Sequence, residues 1–80
     1  MMTSADRCRH NGWEAGDVLQ ARDGQRIRLT AIGESIVLSV RMYGNNYADY
    51  EYETDRTLTK KDWRRIGRWN KKTKKVEVKP

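Results

Sequence analysis

A single mostly β domain of four to five short antiparallel strands follows from three features of the 80-residue sequence. Apolar and polar residues alternate over three successive stretches between residues 17 and 43, the period of half-buried strands. Turn-forming clusters separate them at "RDGQ", "IGES" and "YGNNY". A chain of this length buries only about 60% of its unfolded surface, enough for one small core.

Residues 1–11 are polar and lack apolar periodicity, so they read as a mobile N-terminus. After Trp13, the first strand spans about Asp17 to Arg22, with Leu19 and Ala21 on one face. Asp23-Gly24 is a strong hairpin signal, on the expectation that both central turn positions take positive φ. The second strand, about Gln25 to Ile32, sets Ile27, Leu29 and Ala31 against Arg26, Arg28 and Thr30. In the third, Ile36 to Tyr43, the core side is Ile36, Leu38, Val40 and Met42, and the other side Val37, Ser39 and Arg41. The fourth strand contains "DYEYETD", which places Asp49, Glu51, Glu53 and Asp55 on one face and Tyr50 and Tyr52, with Ala48, toward the core. Burying four unpaired carboxylates would cost several kcal/mol each, which fixes that choice of face.

"TLTKKDWRRI" reads as one helical turn, with Thr59 as N-cap, Asp62 as its capping partner and Leu58, Trp63 and Ile66 turned inward. A last strand follows, either around Gly67 to Trp69 or in "KVEVK". Short strands, tight turns and one helical turn before the last strand resemble the small SH3-like barrel. The expected organisation is a mobile segment 1–11, a barrel domain 12–69 and a basic C-terminal tail 70–80.

Gly12 to Ile66 also resembles a group of small bacteriophage and prophage proteins. The shared pattern opens with G-W-x-x-G-D-x-L, continues through R-I-x-[IL]-T-A-I-G-E and closes with W-R-x-[IV]; its most specific parts here are "RIRLTAIGES" and "TLTKKDW". That pattern often carries Trp where this chain has Thr57, and it does not include the basic tail. The resemblance implies an accessory protein in the cytoplasm of an infected bacterium, and it implies no chemical activity.

Charge is distributed unevenly. Residues 1–63 hold nine Lys/Arg against ten Asp/Glu, a net of −1, whereas residues 64–80 hold eight Lys/Arg against Glu77 alone, a net of +7. The excess is thus an argument about partners rather than fold. No apolar run approaches the roughly 20 residues of a membrane helix, and the opening residues lack the apolar centre of a signal peptide. A lone Cys8 cannot pair within the chain and points to a reducing compartment. A soluble cytoplasmic protein with no membrane partner is expected.

Catalytic and metal constellations are weak. Carboxylates two apart on a strand stand about 6.8 Å from one another, too far to share one ion. The favoured reading of Asp49, Glu51, Glu53 and Asp55 is a solvated face; an acidic docking face, or a landing site for the basic tail, comes next, and catalysis last. Cys8 and His10 supply two metal ligands where zinc requires three or four. Ser4, Ser35 and Ser39 have no histidine but His10 to serve as base. No enzyme, metal or cofactor is expected.

"KKDWRRIGRWNKKTKK" carries more. Arg64, Arg65, Arg68, Lys71, Lys72, Lys74 and Lys75 interleave with Trp63 and Trp69. Cations neutralise phosphates and aromatic rings stack on unpaired bases, the pairing that single-strand binding uses. Trp63 reads as core, and Trp69 as the contact. The expected function is non-catalytic binding of nucleic acid or a nucleoprotein complex. The alternative is an inhibitor of a host defence complex such as a CRISPR assembly, acting through a protein interface. A binder of small nucleotide signals ranks third.

Overall fold

The computed structural model describes residues 2–43, 46–47, 51–54, 58 and 62–78. In chain order they form α1 (Ser4–Asn11), β1 (Asp17–Ala21), β2 (Arg26–Ile32), β3 (Val37–Tyr43), β4 (Asn46–Tyr47), β5 (Tyr52–Glu53), β6 (Trp63–Asn70) and β7 (Lys75–Glu77). The strands make one antiparallel sheet in the order β4-β3-β2-β1-β6-β7, with β5 also on β3. The protein is mostly β, with the short helix α1 ahead of the strands. Among the described residues this sheet is open: no pairing joins its two ends to close the expected barrel.

The N-terminal segment departs from the sequence reading. Residues 4–11 are helical because Thr3 and Asp6 form a capping box, and Gly12 ends the helix in the left-handed conformation at φ 70°. The Arg9 guanidinium and the Thr3 hydroxyl and amide hold the Asp6 carboxyl below its usual pKa. The helix buries Ala5 and Cys8 in the core. Arg9 donates to the carbonyls of Gly33 (3.1 Å) and Glu34 (2.7 Å), which ties the helix to the β2–β3 turn. The buried side is built from small residues, so it lacks the large apolar stripe that marks a helix in sequence.

The main core lies on one face of the sheet, where Leu19, Ala21, Ile27, Leu29, Val37, Leu58 and Trp63 meet Ala5, Cys8 and Trp13. Ile27, Leu29 and Trp63 are therefore placed as expected. β3 is not. Val37 is buried in this core and Ser39 is also buried, whereas Ile36 is 49% exposed and Leu38 half-buried. A bulge between Leu29 and Ala31 shifts the β2–β3 register. Such a shift changes which residues face one another beyond it. Ser39 pairs with the Thr54 hydroxyl, which satisfies both polar groups inside the protein.

Val40 and Met42 are buried as anticipated, but opposite the main core, in the pairing rows of Arg28 and Arg26. Val18, fully buried, stands across from Arg28 on the other side. An arginine stem between two valines covers apolar surface while its head remains polar.

Other details are corrected. The β1–β2 connection is a three-residue loop in which Gly24, at φ 93°, alone takes positive φ, with Ala21 and Gln25 paired across it. Trp63 and Ile66 belong to β6 rather than to a helical turn; Leu58 is helical and fully buried, and Thr59 lies outside the described residues. The fourth strand is described only as β5, with Tyr52 and Glu53; Ala48, Asp49, Tyr50 and Asp55 lie outside the described residues.

The basic tail also has regular structure. β6 continues to Asn70, a turn covers residues 71–74, and β7 returns with Arg68, Trp69 and Asn70 opposite Glu77, Val76 and Lys75. Asn70 organises the turn: its side-chain oxygen accepts from the amides of Lys72 (2.9 Å) and Thr73 (3.4 Å), and its carbonyl accepts from Lys74 (2.8 Å). Its side-chain nitrogen donates to Glu77. Gly67 lets the strands approach, since a Cβ there would run into the Glu77 carbonyl. Residues 70–77 are thus a hairpin of the sheet.

Candidate functional site

The cations singled out in the sequence fall into two groups. Arg64 is exposed on β6, and Lys71, Lys72, Lys74 and Lys75 are exposed in and beside the β6–β7 turn. A short turn fixes these four lysines within a few residues of one another. Each head stays in water, so nearby phosphates could be neutralised with little desolvation cost.

Arg65 and Arg68 are differently placed. Asp17, 2% exposed, has one carboxylate oxygen within 3.0 Å of Arg65 Nε and 3.2 Å of Arg68 Nη1. Its other oxygen accepts from the Glu14 amide at 2.8 Å. Arg68 also meets the Glu14 carboxylate at 3.3 Å and donates to the Ala15 carbonyl at 3.2 Å. A buried carboxylate needs such partners, because unpaired charge is far costlier than unpaired polarity. These two arginines therefore fasten residues 14–17 to β6.

Trp69 is half-buried at the head of the same hairpin. The Arg28 guanidinium lies over its ring, 4.8 Å from the centroid, a cation–π contact. The amide of Trp69 donates to the Gly16 carbonyl at 2.8 Å, and the amide of Gly16 to the Leu29 carbonyl at 2.7 Å. Gly16 thereby links β2 to β6 at φ 98°. Around this link is a cleft of about 470 Å³ whose lining includes Gly16, Arg28, Thr30, Arg68, Trp69 and Lys71.

Sequence reasoning placed Arg28 and Thr30 on the side of the second strand opposite Ile27 and Leu29 and assigned them no role. Their shared side of β2 was readable; that β6 pairs with β1 and brings Trp69 over that side was not. Glu51 and Glu53 are exposed beside Tyr52, along β3 and away from the basic hairpin in strand order. Among the described residues, no three His, Cys, Asp or Glu side chains come together as a metal site. Nor is any described helix long and apolar enough to cross a membrane.

Residues 2–68 match the model of a family described as a domain of unknown function, DUF7241. The chain belongs to this family. The matched region runs from the N-terminal helix through Arg68, and the lysine-bearing turn follows it. No curated protein and no solved structure matches the chain.

Proposed function

We propose that this member of the family is a non-catalytic binding module for nucleic acid or a nucleoprotein complex, cytoplasmic and carried by a phage or prophage. The observation that carries the proposal is the β6–β7 hairpin, which holds Lys71, Lys72, Lys74 and Lys75 together next to Trp69. Ion-pairing of Arg65 and Arg68 leaves Arg64 and these lysines as the phosphate-facing set. The phage setting rests on the resemblance of Gly12–Ile66. An SH3-like arrangement remains the finer fold proposal, supported by the succession of short antiparallel strands and the bulges in β1–β6 and β2–β3.

The test is binding of a labelled duplex and a labelled single strand across a salt series. Five phosphate contacts give a slope of log K against log salt near −4.5 on duplex DNA, so a fourfold rise in salt weakens binding about 500-fold. Replacing the four lysines with glutamine brings the slope toward −1. Unchanged binding by that variant would overturn the proposal.

A second reading, an inhibitor docking on a host defence complex, is favoured by the exposed Glu51 and Glu53. Carboxylates borne on a separate part of the sheet from the basic hairpin suit a basic protein groove. A defence complex captured by the parent and by the lysine variant alike, but not by a Glu51→Lys, Glu53→Lys variant, would select this reading.

A further inference from the structure

We infer that the cleft among Gly16, Arg28, Thr30, Trp69 and Lys71 takes one unpaired nucleobase with its phosphate, so that the module prefers single strands. The inference rests on the nucleic-acid reading and adds a mode of recognition to it. The volume, about 470 Å³, lies within the roughly 300–1,000 Å³ of small-ligand sites. Trp69 supplies a ring, and Arg28 a planar cation already stacked on that ring. Indole and guanidinium are both surfaces on which bases stack. Lys71 stands at the cleft and leads into the turn lysines, giving a phosphate backbone a continuous path.

Charge and hydrogen bonding point the same way. Glu14 and Asp17, which flank the cleft residues Ala15 and Gly16 in the chain, are held by Arg68 and Arg65, so an entering phosphate meets no unopposed negative charge from them. The Gly16 and Trp69 amides are both occupied by backbone carbonyls. The Thr30 hydroxyl is different: it is buried, lies at the β2 bulge and has no hydrogen-bond partner among the described residues. Bulges re-aim side chains, and an unpaired buried hydroxyl is costly unless something else pairs with it. A hydroxyl both donates and accepts, so it suits an edge of any base. Little sequence preference is expected.

Labelled dT12, the dA12·dT12 duplex and thymidine 5′-monophosphate are the probes. The expected result is tighter binding of dT12 than of duplex at equal salt, with quenching of tryptophan fluorescence. Trp69→Leu should weaken dT12 binding by about tenfold to a hundredfold and leave the duplex unaffected. Thr30→Val, which preserves shape, should weaken dT12 about three- to tenfold while the melting temperature holds or rises. Should Trp69→Leu fail to fold, Thr30→Val carries the test. Parental dT12 binding by a folded Trp69→Leu or by Thr30→Val, with the salt slope retained, would overturn the cleft and leave the hairpin reading standing. Monophosphate binding as tight as dT12 would overturn the strand mode in favour of free nucleotides. Absence of binding to every probe would overturn both readings.

Discussion

Arg65 Nε lies 3.0 Å from Oδ1 of buried Asp17, and this pair joins β6 to the start of β1. Arg68 shares the same oxygen at 3.2 Å. Removing one member of a buried pair typically costs about 3–5 kcal/mol. Here both arginines are more than one-third exposed as side chains, so water screens much of what would be left unpaired. Asp17→Asn should therefore lower stability by about 2–3 kcal/mol in denaturant titration. It should also release Arg65 and Arg68 and steepen the salt slope of DNA binding by one to two. A variant as stable as the parent would show that Asp17 does not fasten these strands.

Trp63 is 5% exposed within the core. Trp63→Ala should cost about 3–5 kcal/mol, a large share of the stability of a domain this small. Thermal melting gives the check. A transition close to the parent's would mean that the core is not organised around this ring.

Gly67 sits where a side chain would meet the Glu77 carbonyl. Gly67→Ala should destabilise by about 1–3 kcal/mol and weaken amide exchange protection in β7. Truncation after Gly67 should lower the melting temperature as well, because it removes Arg68 from Asp17, the last three of the eight residues of β6, and all of β7. Only side-chain substitutions in the turn separate charge from folding. If truncation leaves the melting curve unchanged, the hairpin is not part of the cooperative unit.

Glu51 and Glu53 are exposed, so Glu51→Gln and Glu53→Gln should each change stability by less than about 0.5 kcal/mol. Lower negative charge also leaves phosphate binding intact or slightly stronger. Loss of activity in a phage or plasmid assay, with the fold preserved, would assign these two residues to a docking surface.

Burial pushes the Cys8 thiol up to about 11, against the pull of nearby Arg9 and Arg7. The unfolded thiol ionises near 9. The folded state thus favours the neutral form; this contribution to stability is complete below pH 9 and is lost as pH rises through 11. At pH 8 a disulfide reagent should react with Cys8 only after denaturant is added. Rapid reaction in native buffer would contradict the packing of α1.

Local pattern carried the first three strands, the position of the turn at Asp23-Gly24 and the burial of Leu19, Ile27 and Leu29, because alternation and turn chemistry depend on neighbours in the chain. α1 was also within reach through Thr3, Asp6 and Gly12, yet small buried residues gave it no periodic stripe. Charge segregation toward residues 64–80 was present in the sequence alone. Tertiary structure decided the rest. The β2–β3 bulge set which residues of β3 face the core, and pairing of β1 with β6, 42 or more positions apart, bound Arg65 and Arg68 to Asp17 and laid Trp69 against Arg28. Such contacts depend on register between distant segments, and a one-residue shift there redirects every side chain without altering the local pattern.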